Sequence, residues 1–394
     1  MYMVDFIENI DFNFDTTFWV LGGTLFFFWF IQIMYYIIIY NRPYRYEKKR
    51  EKIFSLEVER PSVSVIIASK NEADSLAENL PFILEQNYPN FEVIVVNMGS
   101  TDETDTLLKL LSNKYDNLYH TYVPEDAERY NEKKLALTLG VKAAKNDILL
   151  FTEAYCKPVS DMWIEQFATR FDKGDDIVLG FCKLNIDKKV YRRKFVLYDN
   201  LIFSIKYMSM AILKRTFMGV NRNLAYRREI FYEEKGFSSV LSHDNGEDDL
   251  FINRIARRRK VGVVVSPESM TETNVVDKFR VWKNLKSKYL YTKKQYKGSS
   301  SFVFAVESFS KYCFYILSLG LAVYGIYYQH WAVLAVSALL FLLRLATQLV
   351  IINRYNKNFG SGRYGLRLIG FDMYQPINNF RFRKYEKKKN KYKR

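Results

Sequence analysis

Three long apolar runs stand out along the chain. The first covers residues 18–40 and contains no charged residue; the second covers 312–328, and the third covers 331–352. A transmembrane helix needs about 20 apolar residues to cross the hydrocarbon of a bilayer. Each run therefore predicts a transmembrane helix, and the break at Gln329 and His330 predicts that the last two form a hairpin.

The charges around these runs predict an orientation. Residues 1–17 carry four acids and no Lys or Arg, which disfavours a cleaved signal peptide with its basic start. Residues 41–60 form a basic linker, and residues 353–394 form a basic tail. Because basic flanks stay inside, we expect residues 1–17 outside the cell, and the main domain and the tail in the cytosol.

The third run contains one charged residue, Arg344. A charge at the centre of a membrane helix costs about 2.5 to 3.5 kcal/mol on insertion scales. Its guanidinium must therefore snorkel to the interface, pair with another group or contact a ligand, and snorkelling is the default expectation.

Between residues 61 and 276 the pattern changes to short buried strands that alternate with amphipathic stretches. Apolar residues at helical spacing follow each of the first three strands. This βαβαβαβ order predicts an α/β domain with a mostly parallel, helix-covered sheet. Its ligands should bind where strands end, so that residues 68–72, 97–101 and 153–156 line one crevice.

Composition favours the membrane over nucleic acid as a partner. Lys and Arg total 59 against 43 Asp and Glu, and aromatic residues make up 17% of the chain. Residues 278–297 contain eight Lys or Arg and no acid, interleaved with aromatic residues. This composition predicts that residues 277–311 form a basic amphipathic segment on anionic membrane lipid, and nucleic acid is disfavoured because the charge flanks the membrane runs.

Four strings carry a family resemblance: SVIIASKNEADSLAENLPFILEQNYPNFEVIVVNMGSTDET, KKLALTLGVKAAKNDILLFTEAYCKP, GVNRNLAYRRE and GEDDLFINRIA. In this order they resemble the membrane-bound, inverting family 2 glycosyltransferases of GT-A fold. The resemblance implies a GT-A-type domain that transfers a sugar from a nucleotide-diphosphate donor. It also implies a lipid-linked or envelope glycan acceptor and a multi-pass place in the bacterial inner membrane.

The resemblance assigns a donor site. Glu72 occupies the place of the acid that helps hold the nucleoside, although an exposed Glu at a helix start explains it too. Asn97 and Met98 stand where relatives commonly have an acidic residue; Asn97 can still hydrogen-bond a base or ribose, but Met98 cannot supply a carboxylate. Lys133 and Lys134 match the basic position that neutralises the diphosphate, with a solvated helix face as the alternative. Glu153 is assigned to the donor site as well.

The metal motif of the family departs from its pattern here. Relatives carry D-x-D, whose carboxylates hold a divalent cation, Mg²⁺ or Mn²⁺, on the donor phosphates. This chain has Glu153 and then Tyr155, and a neutral phenol is a poor ligand at pH 7. Other acids complete the metal site, the reaction does without a tightly bound metal, or catalysis has been lost.

Two further strings, GVNRNLAYRRE and GEDDLFINRIA, supply the residues that the resemblance assigns to the acceptor site. By resemblance Asp248 is the general base that takes the proton of the acceptor hydroxyl. Other residues are expected to support the base or to line the acceptor site: Asn221, Arg222, Asn223, Glu247 and Asp249.

The Q-x-x-R-W motif of many relatives corresponds here to residues 285–289, where only basic and aromatic character remains. Met98, Tyr155 and Leu285 thus depart from three family motifs. They favour a rival hypothesis, a catalytically inactive GT-A-like membrane protein that binds a glycan, a nucleotide or a partner subunit.

Overall fold

The computed structural model of the chain describes residues 16–51, 60–124, 131–274, 276–360 and 362–391. The expected external segment, residues 1–17, lies almost entirely outside this set. The strands are β1 Val63–Ser69, β2 Phe91–Asn97, β3 Leu118–Tyr122, β4 Ile148–Phe151, β5 Cys156–Pro158, β6 Ile177–Leu179, β7 Cys182–Lys183, β8 Leu224–Arg227, β9 Val261–Val263 and β10 Thr271–Thr273. The helices are α1 Thr16–Met34, α2 Arg42–Glu51, α3 Ala73–Leu84, α4 Thr104–Lys114, α5 Glu132–Ala143, α6 Trp163–Asp172, α7 Arg193–Ile212, α8 Arg228–Glu233, α9 Asp249–Ile255, α10 Phe279–Thr292, α11 Ser300–Tyr327, α12 Trp331–Phe359 and α13 Arg367–Lys391.

Seven strands form the main sheet in the order β3-β2-β1-β4-β8-β6-β9. The strands are parallel except that β8 runs antiparallel to both of its neighbours. Every residue of β1 is buried, which explains its continuous apolar sequence, because a strand covered on both faces has no solvent side. The predicted α/β class with a mostly parallel sheet is confirmed.

Helices cover both faces of this sheet. The apolar sides of α3, α4 and α6 pack on one face. The other face packs against α5 and α7 and continues through α9 into α10. A second sheet has three short strands in the order β5-β10-β7, and its strand β5 directly follows the predicted metal motif.

Among the residues that the structure describes, three helices are long and apolar enough to cross a membrane, which makes the chain a membrane protein. The first is α1, which continues as a π-helical turn over Tyr35–Tyr40. The other two differ from the predicted runs in their limits, because α11 begins at Ser300 rather than at 312 and α12 continues to Phe359 rather than ending at 352. The early start of α11 places Glu307 and Lys311 inside the helix, where they form an ion pair of 2.9 Å.

The expected basic segment and the basic tail are both partly helical. Helix α10 occupies part of residues 277–311, and α13 occupies much of the expected tail. Aromatic residues join α13 to the domain, since Phe382 lies 5.2 Å from Trp282 of α10, and Phe371 lies 5.6 Å from Phe195 of α7, between ring centroids. Charge alone predicts that the tail is surrounded by solvent, but these aromatic residues pack α13 against α7 and α10.

The default expectation of snorkelling for Arg344 is wrong. Its side chain is 2% exposed and pairs with Asp372 of α13 at 2.7 Å. It also donates hydrogen bonds to Tyr315 Oη at 2.8 Å and to Gln32 Oε1 at 2.9 Å. The cost of burying the charge is offset by a carboxylate and two neutral acceptors.

The charge asymmetry predicts that a cysteine placed in the α/β domain is shielded from the cell exterior. Asn90 is exposed between α3 and β2. In intact cells that produce an otherwise cysteine-free chain, Asn90→Cys should stay unlabelled by a membrane-impermeant maleimide until the membrane is permeabilised. Met3→Cys is the matched control and should label without permeabilisation. Labelling of the Asn90→Cys chain in intact cells would contradict the orientation.

Candidate active site

The loops that follow β1, β2 and β4 meet at one edge of the sheet. The backbone N–H of Asn71 donates to Ser100 Oγ at 2.9 Å, and that of Thr101 donates to Asn71 Oδ1 at 2.8 Å. Asn79 of α3 donates to the carbonyl oxygen of Ala154 at 2.9 Å. The crevice that the strand order predicts is therefore a pre-formed surface.

Lys133 is the central cation of this crevice. Its Nζ lies 2.7 and 2.9 Å from the two carboxylate oxygens of Glu153 and 3.6 Å from Glu247. Asn131 caps α5 by accepting from the backbone of Lys134, which fixes the helix turn that carries Lys133. Although burial disfavours the charged ammonium, Glu153 and Glu247 raise the pKa of Lys133 above its usual value.

Glu72 faces the same crevice without a cation of its own. Burial, and then the charge of Glu153, raises the pKa of Glu72 to about 7, while Lys133 acts in the opposite direction. A carboxyl group in a cleft whose pKa lies close to 7 is a frequent feature of functional sites.

Lys134 points away from the crevice. Its ammonium is buried and donates to the backbone carbonyl oxygens of His243 and Asn245, the latter at 3.2 Å. The described contacts of Lys134 therefore serve the loop before α9. Adjacent lysines on a helix face different directions, and the sequence alone did not separate them.

Two of the predicted asparagines have structural contacts. Asn97 accepts from the backbone N–H of Ser100 at 2.9 Å and shapes the loop after β2. Asn223 accepts from Trp163 Nε1 at 2.9 Å and donates to the carbonyl oxygens of Phe181 and Ser269, each at 2.9 Å. The side chain of Asn223 is thus fully used in holding the sheet together.

Asp248 is buried, with 2% of its surface exposed. Its Oδ2 accepts from Tyr289 Oη at 2.7 Å and from the backbone N–H of Asn221 at 3.2 Å, and its Oδ1 accepts from the N–H of Asp249 at 2.8 Å. Burial opposes ionisation, but Lys288, the hydrogen bond from Tyr289 and the charge of Lys133 lower the pKa of Asp248. The carboxylate is therefore ionised at neutral pH and can accept a proton.

Asp249 has the opposite environment. Its Oδ2 accepts from Tyr296 Oη at 2.6 Å and from the hydroxyl of Thr292. Burial, and then the charge of Asp248, raises the pKa of Asp249. Two adjacent buried carboxyls thus divide their roles, since one carries the charge and the other ties α9 to the end of α10.

Arg222 is a buried cation without an ion pair among the described residues. It is 6% exposed, and its Nη1 has no hydrogen-bond partner in the part of the chain that the structure describes. Its backbone carbonyl oxygen accepts from Thr271 Oγ1 at 2.7 Å, which fixes the 3₁₀ turn Asn221–Asn223. A buried, unpaired guanidinium is costly in free energy and fits an anionic ligand.

The side chains of the altered metal motif do not fit a preformed metal site. Both oxygens of Glu153 already accept from Lys133, and burial raises the pKa of Tyr155 so that its phenol stays neutral. Within the described ranges no three His, Cys, Asp or Glu side chains come together as a metal site. Lys133 and Arg222 contribute positive charge at this edge of the sheet, as does Lys70, which follows β1 and pairs with Glu132.

Sequence reasoning missed the residues of α10 that contact the acids. Tyr289 and Thr292 lie on α10, Tyr296 follows the turn after it, and all three donate to Asp248 or Asp249. The available signal was the basic and aromatic stretch at residues 285–289, which we interpreted as a surface for lipid. Four-residue helical spacing puts Leu285 and Tyr289 on one face, so a second, inward face could have been inferred.

Comparison with known proteins agrees with this geometry. Residues 64–234 match the sequence model of the family described as Glycosyl transferase family 2. Over this segment the chain resembles the family 2 glycosyltransferases. The predicted resemblance is thus confirmed for the part that contains Glu72, Lys133, Glu153 and Arg222, whereas Asp248 lies beyond the matched residues.

Two curated relatives match shorter stretches. Glycosyltransferase AglE of Haloferax volcanii is 34% identical over 123 residues, which are 30% of this chain and 39% of that protein. The beta-monoglucosyldiacylglycerol synthase of a Nostoc species is 28% identical over 127 residues, which are 32% of this chain and 25% of that protein. The chain therefore spans well under half the length of these relatives.

One solved structure is similar over most of its length. It is the mannosyltransferase PcManGT from Pyrobaculum calidifontis, in complex with GDP-Man and Mn²⁺, with a TM-score of 0.54 and 18% identity. The match covers 91% of this chain and 99% of that one. At this identity the likeness establishes the fold, and the α/β domain has the predicted GT-A fold.

The raised pKa of Glu72 predicts a pH-dependent difference between the native chain and Glu72→Gln. Below about pH 4.5 the carboxyl is protonated in both the folded and the unfolded chain, so the variants should melt at similar temperatures. Between pH 4.5 and 7 the unfolded chain releases this proton more readily than the folded one, and the native protein loses stability relative to Glu72→Gln.

The melting temperatures of both variants, measured from pH 4.5 to 8.5, check this prediction. The advantage of Glu72→Gln should grow up to about pH 7 and then level off. Glu78→Gln is the control, because this exposed position on α3 shows what the loss of a surface carboxylate alone does to the melting temperature. An advantage of Glu72→Gln that shrinks as the pH rises would contradict the raised pKa.

Proposed function

We propose that this protein is an inverting glycosyltransferase that moves a sugar from a nucleotide-diphosphate donor to a hydroxyl group of a lipid-linked or envelope glycan acceptor. The observation that carries the proposal is Asp248, a buried carboxylate held in its ionised form by surrounding donors and cations. It lies at the end of the crevice that Lys133 and Glu247 define. Such a group serves as the base in a single displacement.

The comparisons support the donor class. The segment that resembles family 2 glycosyltransferases contains Glu72, Lys133 and Glu153. PcManGT, which shares the fold, was solved with GDP-Man, and AglE is named a glycosyltransferase. We infer a nucleotide sugar as the donor, with its nucleoside near Glu72 and its diphosphate toward Lys133.

The residues around the crevice define the step. The acceptor oxygen attacks the anomeric carbon while the bond from that carbon to the nucleoside diphosphate breaks, and Asp248 takes the acceptor proton. Tyr289 occupies one oxygen of Asp248 in this structure, so the acceptor hydroxyl must replace or share that hydrogen bond. The negative charge that grows on the departing diphosphate is balanced by Arg222, which has no other ion pair among the described residues.

We further propose that the divalent cation requirement is weak. PcManGT was solved with Mn²⁺, but the carboxylates that the structure describes here do not come together as a protein site for such an ion. Lys133 already neutralises Glu153 where relatives have a metal motif. Mg²⁺ or Mn²⁺ would have to come with the donor phosphates, and its affinity for the protein alone should be low.

The membrane placement follows from the spans and their charges. We propose that the GT-A domain faces the cytosol at a bacterial inner membrane, where nucleotide sugars are available, and that α10 and α13 lie against anionic lipid. No nucleic-acid partner is proposed. The rival hypothesis is an inactive binding protein. It is favoured by the contacts of Asp248, because all three of its described hydrogen-bond donors belong to the protein itself.

Asp248→Asn should reduce the turnover number by about 10²- to 10⁴-fold, because the variant lacks the base but keeps the shape of the residue. Binding of UDP and GDP should be nearly unchanged. The assay is release of nucleoside diphosphate by the full-length protein in lipid, with a panel of nucleotide sugars. Asp244→Asn, an exposed position on the same loop, is the matched control and should retain full turnover.

Equal turnover in Asp248→Asn and the native chain would remove Asp248 from the mechanism, whereas a native chain inert toward every donor would favour the inactive protein.

Tyr155→Asp should make nucleotide binding more dependent on metal. The substitution restores a second carboxylate next to Glu153, so Mn²⁺ should tighten UDP or GDP binding in the variant by at least about tenfold more than in the native chain. Isothermal titration with and without Mn²⁺ measures the difference. Tyr155→Phe is the control, since it removes the hydroxyl without adding a charge. An equal effect of Mn²⁺ in the native chain and Tyr155→Asp would show that this position does not govern metal binding.

If Tyr155→Asp alone gains no turnover, Met98→Asp combined with it tests whether both lost carboxylates are required.

A further inference from the structure

A second cavity lies behind the candidate base, between α7, α10, α11 and α13. Its volume is about 80 Å³, and it is open to solvent on one side. Tyr289 and Tyr296 form part of its wall and donate to Asp248 and Asp249 on the other side. The cavity is thus separated from the proposed base by a single tyrosine side chain.

Three lysines from different elements line this cavity: Lys206 of α7, Lys286 of α10, and Lys293 in the turn after α10. No carboxylate is among its lining residues in the described part of the chain. Lys206 pairs with Glu307 at 2.9 Å, and Lys286 pairs with Asp199, both outside the lining. The wall therefore has an excess of positive charge.

Lys293 carries that excess. Its side chain is half-buried, and its ammonium makes no ion pair or hydrogen bond with any residue that the structure describes. Burial, and then the neighbouring charges of Lys206 and Arg383, lower the pKa of Lys293 to about 8, although Glu307 acts in the opposite direction. An anionic group in the cavity would relieve this repulsion.

Much of the rest of the wall is apolar and is continuous with a candidate membrane span. Phe304 belongs to α11, one of the three candidate spans, and packs against Phe217 with 5.7 Å between ring centroids. Phe203 and Leu290 add further apolar surface. A ligand that satisfies both halves of the wall is an amphiphile, with a hydrocarbon part toward the span and an anionic head at the lysines.

The cavity also offers a polar group for a neutral part of such a head. Asn379 of α13 lines it, and its Oδ1 is buried without a hydrogen-bond partner among the described residues. A hydroxyl donor in the ligand would satisfy this acceptor. A smaller cavity, which shares Phe203, Lys286 and Tyr289 with the first, extends the path to Arg222.

We propose that this cavity binds a membrane lipid whose headgroup carries a phosphate, and that this lipid is the acceptor whose hydroxyl is presented to Asp248 past Tyr289. The assignment of the lipid as acceptor rests on the proposed glycosyltransferase function. Phosphate chemistry fits because it is anionic, accepts several hydrogen bonds and can bridge lysines from separate elements.

The test measures binding of farnesyl phosphate to the full-length protein in phosphatidylcholine nanodiscs. Binding should be saturable, Lys293→Gln should weaken it about tenfold, and Lys293→Arg should largely restore it, because one charge-assisted hydrogen bond is lost and then replaced. Lys294→Gln is the matched control, since Lys294 is exposed next to Lys293 and does not line the cavity, and it should change the affinity less than twofold.

Competition identifies the source of the phosphate. Farnesol and inorganic phosphate should each displace farnesyl phosphate only at concentrations at least about a hundredfold higher, because each has one half of the recognised chemistry. Displacement by inorganic phosphate at the concentration of farnesyl phosphate would overturn the lipid assignment. Equal weakening by Lys293→Gln and Lys294→Gln would overturn the cavity as the site and leave general surface charge.

Binding of UDP and GDP to the same samples separates the two proposals. Nucleotide binding without farnesyl phosphate binding would overturn the lipid site and leave the glycosyltransferase function standing. Farnesyl phosphate binding without binding of any nucleotide would overturn the glycosyltransferase function and, with it, the role of the lipid as acceptor. Melting temperatures of the Lys293 variants within about 2 °C of the native value exclude misfolding as the cause of a loss.

Discussion

The structure depends on mutual neutralisation of charges that the membrane helices bury. Asp372 of α13 accepts from Arg344 of α12 and from Lys311 of α11, each at 2.7 Å. Lys311 also pairs with Glu307, and Glu307 pairs with Lys206 of α7 at 2.9 Å. Removal of one member leaves an uncompensated charge, which costs about 3 to 5 kcal/mol in buried pairs. These helices therefore hold one arrangement relative to the GT-A domain.

That arrangement determines where α10 lies, and α10 in turn provides a hydrogen bond to the candidate base, Asp248. Helix α7 ends the network through Lys206, and the same helix pairs with α10 through Asp199 and Lys286. Tyr289, on the next turn of α10, then reaches Asp248. A run of ion pairs thus connects the spans to a hydrogen bond on the base, and the geometry of the site is set partly by residues inside the apolar runs.

The sequence predicted the α/β class, the strand order along the chain and three membrane helices, because each leaves a periodic or continuous apolar pattern. It also predicted that Lys133 and Glu153 face the same crevice, through the family resemblance. It could not predict that Arg344 pairs with Asp372 or that Tyr289 contacts Asp248, since these partners are distant in the chain and no local pattern encodes them. The start of α11 was predicted too late for the same reason. Glu307 and Lys311 are charged, so the apolar pattern excludes them from the helix until their ion-pair partners are known.

The altered metal motif is consistent with the balance of charge in the crevice. Where relatives place two carboxylates around a divalent cation, this chain has one carboxylate, Glu153, and its two oxygens accept from one ammonium, Lys133. A second carboxylate at position 155 would be buried beside Glu153, whose like charge would disfavour its ionisation, while the unpaired guanidinium of Arg222 would act in the opposite direction. Tyrosine fills the position without charge, and burial keeps its phenol protonated. The uncharged tyrosine and the pairing of Glu153 with Lys133 are therefore consistent with our proposal that the protein alone holds a divalent cation weakly.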